Sequence, residues 1–533
     1  MKHLVATIIA LTVATACCAS PENATTPDTG IQKMTTNPII WADVPDVAII
    51  RVGDTYYMSS TTMHMSPGLP IMKSTDLVNW RIVSYAYETL AESDALTLSN
   101  GKSAYGAGSW ASSLRYHNGT FYVTTFSSTT GKTYVFSSQS IEKGPWKEST
   151  FAPALHDHSL QFEEDGRVYM VHGSGDVRLT ELTADASVIK PGGIDTVIIP
   201  NASLVAGPNV GLRAEGSQLR KIDGYYYLFM ITWPRGGMRT QLVFRSQSLT
   251  GPYEGRIALH DGGVAQGGLI DTPQGNWYAL LFQDHGAVGR TPFLVPVKWE
   301  DGWPILGSAG KIPTTLNIPA GADRISGIVA SDEFNRKPAD AALPLVWQWN
   351  HNPDNRYWSV RDRPGYLRLT TGRVDPDLLS ARNTLTQRTF GPECTAQIAM
   401  DVGGMRDGDT AGLALLQKRY GYVGVKMAGT KKSIVMVAAE GDGPVEVASV
   451  PLQQQTIYLK AECDFKNRAD TGWFYYSLDG IHWIRIGNPL HMVYTLPHFM
   501  GYRFGLFNYA TIHAGGMVDF DYFRVEASIA DHK

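Results

Sequence analysis

Long apolar runs are scarce in this sequence of 533 residues. After the first 16 residues, no segment has the roughly 18 continuous apolar residues that a membrane-spanning helix needs. Patterns typical of long helices are also missing, whereas short stretches that alternate apolar and polar residues are frequent. Such alternation is typical of half-buried strands, so the sequence predicts an all-β protein.

An excess of positive charge is missing as well. The chain has 46 basic and 50 acidic residues, and its formal net charge of −4 leaves no basic stripe that could neutralise phosphates. We therefore expect no nucleic-acid partner. Cysteine is rare, and beyond the N-terminal region only Cys394 and Cys463 remain. They could pair in an oxidising compartment or stay as two buried thiols, and we expect the second.

The N-terminus begins with a basic residue, continues as a short apolar run over residues 4–16, and then reaches Cys17. This order is typical of a secretory signal peptide, so we expect residues 1–19 to direct export to the periplasm or cell surface of a bacterium. The small residues before Cys17 would also permit a lipid anchor on it, and this alternative stays open. Residues 20–36 are rich in Pro, Thr and Asn and are expected to form a linker.

A short pattern recurs five times: Gly or Asp, any residue, an aromatic residue or Val, and Tyr. Successive tyrosines are 65, 47, 58 and 51 residues apart. Each copy is typical of a hairpin turn that enters a strand, and repeats of about this length are typical of four-stranded propeller blades. The copies lie at 54–57, 119–122, 166–169, 224–227 and 275–278.

The repeat predicts a five-bladed β-propeller over residues 37–318, with an irregular β-sandwich as the alternative. From Asp332 onward the five-fold pattern stops and a different alternation begins. Residues 328–527 are therefore predicted to form a second domain, an antiparallel β-sandwich.

Three acidic residues precede the repeat tyrosines of the first, third and fourth blades by 11 or 12 residues: Asp46, Asp157 and Glu215. A shared offset places them at the same end of their blades, where residues distant in sequence converge on the propeller axis. Carboxylates that share a pocket cannot all ionise freely, so at least one keeps its proton. A protonated acid beside an ionised base is the arrangement that glycoside hydrolysis requires.

The sequence also resembles glycoside hydrolase family 43, which holds β-xylosidases, α-L-arabinofuranosidases and arabinanases. The resemblance covers almost the whole chain after the linker. It is carried by 37–39 (Asn-Pro-Ile), 45–46 (Pro-Asp), 74–80 (Ser-Thr-Asp-Leu-Val-Asn-Trp), 110–115 (Trp-Ala-Ser-Ser-Leu-Arg), 214–216 (Ala-Glu-Gly), 269–277 (Leu-Ile-Asp-Thr-Pro-Gln-Gly-Asn-Trp), 289–291 (Gly-Arg-Thr), 332–334 (Asp-Glu-Phe) and 477–480 (Ser-Leu-Asp-Gly).

The resemblance implies a concanavalin-like sandwich after the propeller and a role for each carboxylate. Asp46 would be the general base, Asp157 the residue that tunes and orients the acid, and Glu215 the general acid. The family inverts anomeric configuration, which implies a separation of roughly 6.5–9.5 Å between the carboxyl groups of base and acid.

The resemblance also implies that Arg290 binds the sugar. The other predicted substrate-binding residues are Trp110, His64 and Gln266. Gln266 stands where the family often has a histidine near the axis, and His156 and His158 lack a second cluster at metal-ligand spacing. We therefore expect neither a bound metal nor a cofactor, and we expect His156 and His158 to be hydrogen-bonding residues.

These features predict a monomeric, exo-acting, inverting glycosidase that removes terminal α-L-arabinofuranosyl or β-D-xylosyl units from plant-wall polysaccharide or its oligosaccharides, such as arabinoxylan, xyloglucan or arabinan. Two alternatives stay open: a β-xylosidase acting on xylo-oligosaccharides, and a non-catalytic propeller that binds carbohydrate. A fructan hydrolase is the weakest alternative, because its Asn-Asp-Pro-Asn-Gly segment is missing.

Overall fold

The computed structural model describes residues 34–320 and 325–530. The predicted signal peptide and the lipid-anchor residue Cys17 lie outside this range. In the described part of the chain, no helix is long and apolar enough to span a membrane. Nearly all regular structure in the described segments is strand, with three short 3-10 turns at Ala202–Ala206, Gly286–Val288 and Lys466–Arg468.

Five sheets of four antiparallel strands follow one another along the first half of the chain, as the repeat predicted. Each repeat tyrosine lies in the second strand of its sheet, and the turn before it holds a glycine with positive φ. The strands, from the innermost outward, are Ala48–Val52, Thr55–Ser59, Gly68–Ser74 and Arg81–Tyr87 in the first blade; Ser113–His117, Thr120–Ser127, Lys132–Ser138 and Lys147–Phe151 in the second; Ser159–Phe162, Val168–His172, Val177–Leu182 and Asp195–Ile199 in the third; Val210–Ile222, Tyr225–Pro234, Thr240–Ser246 and Glu254–Leu259 in the fourth; and Ala265–Asp271, Trp277–Asp284, Arg290–Glu300 and Trp303–Leu306 in the fifth.

Apolar side chains of adjacent blades pack against each other between the sheets. Phe229 of the fourth blade, for example, belongs to the same buried cluster as Leu281 of the fifth. The two ends of this part of the chain also meet, because Met34–Thr36 pairs antiparallel with Thr315–Pro319. The five-bladed propeller is therefore confirmed, whereas the predicted domain bounds stay a prediction.

The second half of the chain forms the predicted sandwich of two antiparallel sheets. One sheet has, in spatial order, Val445–Leu452, Lys431–Ala439, Tyr420–Ala428, Asp409–Leu416, Arg503–Ala510, Leu385–Arg388, Gln348–Asn350 and Met65–Ser66. The other has Trp358–Ser359, Leu367–Thr370, Met517–Glu526, Glu393–Asp401, Thr456–Asp464, Thr471–Ser477 and Ile484–Arg485, with Leu490–His491 beside Thr471–Ser477. Cys394 and Cys463 are direct cross-strand partners and are free, buried thiols, as expected.

Propeller and sandwich share backbone hydrogen bonding and a core. Met65–Ser66, which belongs to the first blade's sequence, is the edge strand of a sandwich sheet and pairs with Gln348–Asn350. One buried cluster includes Trp80 and Leu294 of the propeller together with Phe523 of the sandwich. Because a large apolar surface is buried jointly, neither half could separate without exposing it to water.

We therefore expect the two domains to unfold together, as a single heat-capacity peak in scanning calorimetry. Trp347 is 2% exposed, donates its indole N–H to Asp332 over 2.9 Å and packs on Phe523. The substitution Trp347→Ala should cost about 3–5 kcal/mol and move the whole peak to lower temperature. Ile481→Ala, at a site that is 75% exposed, serves as the control. Two separate peaks would contradict the shared core.

Candidate active site

The three predicted carboxylates lie at the same end of the innermost strands. Asp46 and Asp157 each precede an innermost strand by two residues, and Glu215 lies within Val210–Ile222. Asp157 is close enough to both other carboxylates for their charges to raise its pKa. The shared offset in the sequence therefore does bring the three groups together.

Backbone strain marks the same positions. Asp46, Asp157 and Gln266 have φ values of 53°, 47° and 58°, and Gly216 has 73°. Residues other than glycine rarely adopt this left-handed conformation, and it persists only where the surroundings impose it. Asp is among the residues that tolerate it best, whereas Gln266 is a more strained choice. The left-handed turns aim successive side chains at the propeller axis.

A buried arginine holds Asp46. One guanidinium nitrogen, Nη1 of Arg290, donates to both carboxyl oxygens of Asp46 at 3.0 Å. The side chains of the pair are only 3% and 5% exposed. Burial raises the pKa of Asp46, and the charge of Arg290 opposes that shift. The structure thus places the predicted sugar-binding arginine directly on the predicted base.

Glu215 receives two hydrogen bonds on one oxygen. His156 Nε2 donates to its Oε2 at 3.0 Å, and the Ser174 hydroxyl donates to the same atom at 3.2 Å. Asp157 does not bond Glu215 directly but accepts the N–H of the next residue, Gly216, at 2.9 Å. Asp157 therefore fixes the backbone that carries Glu215, whereas the roles predicted for the two residues stay predictions.

The pKa values of Asp157 and His156, beside Glu215, are both raised. Burial, together with the charges of Glu215 and Asp46, raises the pKa of Asp157 to about 7 against the opposing charge of His156. Burial alone would lower the pKa of His156, but its hydrogen bond to Glu215 and the charge of Asp157 raise it to about 9. At neutral pH, His156 is therefore a cation and Asp157 is partly protonated. Both residues thus carry protons next to Glu215.

Aromatic and cationic side chains surround the carboxylates. Trp110 packs edge-on against Phe499 at 5.4 Å between ring centroids, and Phe499 lies 4.8 Å from the guanidinium of Arg290. On the other side, Arg239 pairs with Asp284 and stacks over Trp233 at 5.2 Å. Phe499 comes from the sandwich, so the second domain supplies one wall of the site.

Two predicted substrate-binding residues have different surroundings. Gln266 packs against Gly216, where a Cβ would lie 2.9 Å from its side chain, so it reaches the site. His64 does not: it is 1% exposed and donates to Asn350 Oδ1 of the sandwich at 3.1 Å. His351 lies 4.5 Å from it, ring to ring. The structure therefore places His64 in the packing between the domains.

The ligand-type atoms of His156, Asp157 and Glu215 lie within 4.8 Å of one another, a spacing that a metal ion could bridge. The expectation of no bound metal therefore stays a prediction. His158 is buried, donates to the Leu155 carbonyl at 2.8 Å and lies 2.7 Å from the Thr124 hydroxyl. It is a hydrogen-bonding residue of the fold.

Sequence reasoning missed several contributors. Phe499 is 209 residues from Arg290, whose Nη2 donates to its carbonyl at 3.4 Å, and no local pattern links the two. Ser174 and Arg239 lie in turns that the repeat does not include. Asp43 could have been noticed in the sequence, because it precedes Asp46 by only three residues. In the structure it accepts the backbone N–H of Arg290 at 2.7 Å.

Comparison with known proteins accords with this geometry. The profile described as glycosyl hydrolases family 43 matches residues 35–304, and the profile described as beta xylosidase C-terminal concanavalin A-like domain matches residues 331–526. The chain belongs to glycosyl hydrolase family 43. It is therefore a glycosidase, and the concanavalin-like assignment of the second domain is confirmed.

Relatives of this family-43 chain resemble it along most of its length. The structure of a bifunctional GH43-CE protein from Bacteroides eggerthii is 61% identical, with a TM-score of 0.93, and the match covers 94% of this chain and 64% of that one. The chain thus spans less than two thirds of that protein. A beta-xylosidase of Formosa agariphila is 30% identical over 98% of this chain and 97% of its own length. A non-reducing end alpha-L-arabinofuranosidase of Bacteroides ovatus is 29% identical over 63% and 65%.

The raised pKa of Asp157 predicts that this residue makes the folded protein less stable as the pH rises towards 7. An aspartate in an unfolded chain titrates near pH 3.9, whereas Asp157 titrates near 7. Its favourable contribution is complete below pH 4 and is lost as the pH rises to 7, by up to about 1.4 kcal/mol per pH unit. Asp157→Asn cannot ionise, so its stability relative to the wild type should increase between pH 4 and pH 7. Urea unfolding at both pH values measures this difference.

The matched control is Asp223→Asn, which makes the same change in an exposed turn where φ is 48°. Its stability relative to the wild type should not rise over this pH window. A constant difference for Asp157→Asn would show that Asp157 is ionised throughout.

Proposed function

We propose that the protein is an exported, exo-acting, inverting glycosidase that removes terminal α-L-arabinofuranosyl units, or β-D-xylosyl units, from plant-wall hemicellulose. The observation that carries this is the pairing of two differently held carboxylates at one end of the axis. Asp46 is bound by a fixed cation, whereas Glu215 lies beside residues that carry protons. Such unequal surroundings assign base and acid roles to a pair of carboxylates.

In this mechanism Asp46 takes a proton from water, and that water attacks the anomeric carbon. Burial raises the pKa of Asp46, and the Arg290 charge opposes this shift and so favours the ionised base. Glu215 gives a proton to the departing glycosidic oxygen through the carboxyl oxygen that does not face His156. His156 donates to the other oxygen at 3.0 Å and so holds the carboxyl group of the acid in place, and Glu215 takes its next proton from solvent after each turnover. The separation of the Asp46 and Glu215 carboxyl groups stays a prediction.

The exo mode is supported by the wall that the sandwich contributes. Phe499 lies against both Trp110 and Arg290, so an aromatic side chain of the sandwich bounds the site on that side, and this favours a chain end over the middle of a chain. The names of the Formosa and Bacteroides ovatus relatives refer to xylosyl and arabinofuranosyl units, and this favours a pentose at the site. The arabinofuranosyl preference, export and the monomeric state are part of the proposal.

The proposed roles predict different losses for two isosteric variants. Asp46→Asn removes the base, so it should reduce kcat about 10²–10⁴-fold on every substrate. Glu215→Gln removes the acid, so it should reduce turnover as strongly on natural oligosaccharides. It should reduce turnover much less on aryl glycosides, whose phenolate departs without a proton. Aryl α-L-arabinofuranoside, aryl β-xyloside and arabinoxylan oligosaccharides are the substrates to compare.

Glu164→Gln is the matched control, because the Glu164 side chain is 92% exposed on the third blade. It should retain full activity. A wild-type protein that binds the oligosaccharides but hydrolyses none of the substrates would support the binding-protein alternative. Cleavage within arabinan or xylan chains without action on either aryl glycoside would exclude the exo mode.

Arg290 should control the acidic side of the pH–activity profile. Its charge lowers the pKa of Asp46, and the base must be ionised to act. Arg290→Met should therefore move the acidic limb of the kcat/KM profile to higher pH, in addition to any loss of sugar binding. Arg178→Met, which removes an exposed arginine paired with Asp195, should leave the limb in place. An unshifted limb in Arg290→Met would show that Asp46 is not the group that titrates there.

A further inference from the structure

A second cavity lies at the other end of the propeller axis. It has a volume of about 300 Å³ and is lined by residues from the innermost strands of all five blades. Arg51 and Arg220 each come five residues after a catalytic carboxylate, Asp46 and Glu215 respectively. At about 3.3 Å per residue, this cavity is roughly 16 Å from the carboxylates and contains none of them.

Three arginines line this cavity, and two of them share a single carboxylate, Asp271. Arg220 Nη2 donates to Asp271 Oδ1 at 2.6 Å, and Arg51 bonds Asp271 Oδ2. Arg115 donates only to uncharged acceptors, namely the Leu114 carbonyl at 2.7 Å, the Ser159 hydroxyl at 2.6 Å and the Leu219 carbonyl at 2.7 Å. Within residues 34–320 and 325–530, Arg115 forms no ion pair. Lys221 also lines the cavity and pairs with Glu163 and Glu164. Four cationic groups therefore face three carboxylates, and in the described part of the chain the positive charge of Arg115 is the one left without an ion-pair partner.

The excess positive charge at the cavity affects the pKa of Arg115. Burial and the nearby charge of Arg220 lower the pKa of Arg115 to about 10. These hydrogen bonds explain how the arginines join different blades, since Arg115 of the second blade reaches Ser159 of the third and Leu219 of the fourth. The hydrogen bonds do not explain why the residue is an arginine, because a neutral donor would join the blades without repulsion from Arg220. An anion bound in the cavity would compensate the positive charges and offset this repulsion.

We propose that this cavity binds a small oxyanion, a carboxylate or a phosphate, held by Arg51, Arg115 and Arg220. Guanidinium groups match the planar oxygen pairs of both anions. The volume leaves room for a phosphate ion or for one acidic sugar ring. Tyr116, 46% exposed, and His117, stacked on Phe162 at 4.4 Å, lie at the same cavity and could contact such a ring. The inference does not depend on the proposed catalytic roles.

The test is calorimetric titration of the intact protein with inorganic phosphate, D-glucuronate and D-glucose at constant ionic strength. Saturable binding of phosphate or glucuronate, without binding of glucose, is expected. Binding of phosphate alone would identify an inorganic-anion site, and binding of glucuronate alone a site for acidic sugars. If neither anion saturates below 10 mM, the proposal is wrong.

Variants then locate the site. Arg115→Gln keeps hydrogen-bond donors but removes one charge, and it should weaken binding at least tenfold. Arg178→Gln, an exposed arginine elsewhere on the third blade, should bind as the wild type does. Should Arg115→Gln fail to fold, hydrogen exchange of the wild type gives the answer. The anion should slow exchange of the amides at 114–116 and 219–221, and protection elsewhere without protection there would overturn the assignment.

Discussion

The buried ion pair between Asp46 and Arg290 is the contact on which the rest of the site depends. Isolated charges are costly to bury, so this pair survives only because the surrounding backbone fixes both partners. Asp43 provides much of that fixation. It accepts the Arg290 N–H at 2.7 Å and the N–H of Gly501 in the sandwich at 3.1 Å, while Arg388 of the sandwich donates to the Asp43 carbonyl at 2.8 Å. The segment that carries Asp46 is therefore held by both domains.

This dependence gives the sandwich a direct part in the structure of the candidate site. Gly501 follows Phe499 by two residues, so the same turn that satisfies Asp43 also presents the aromatic wall beside Arg290. The shared core and the strand Met65–Ser66 keep that turn at a fixed distance from the propeller axis. A movement of the sandwich would thus disturb the ion pair and the aromatic wall together.

The sequence was sufficient for the features that repeat. Five hairpin copies indicated five blades, and the common offset of Asp46, Asp157 and Glu215 indicated one convergent cluster, because a propeller converts regular spacing into proximity. Features that depend on contacts between distant, non-repeated segments were not accessible. Phe499 and the Met65–Ser66 strand are examples, since each takes its position from the other domain and neither belongs to a local pattern.

His64 shows why residue type alone was misleading. A histidine flanked by methionines before a proline gave no periodic signal, so its side chain could be assigned to the pocket or to the core with equal ease. In the structure, the His64 side chain contacts two residues of the sandwich. It hydrogen-bonds the side-chain amide of Asn350 and packs against the ring of His351. Burial lowers the pKa of His64 well below its usual value, so the ring stays neutral and can pack closely. His64, Asn350 and His351 are therefore polar in type but uncharged in state, and their polarity in the sequence did not mark them as part of the interior.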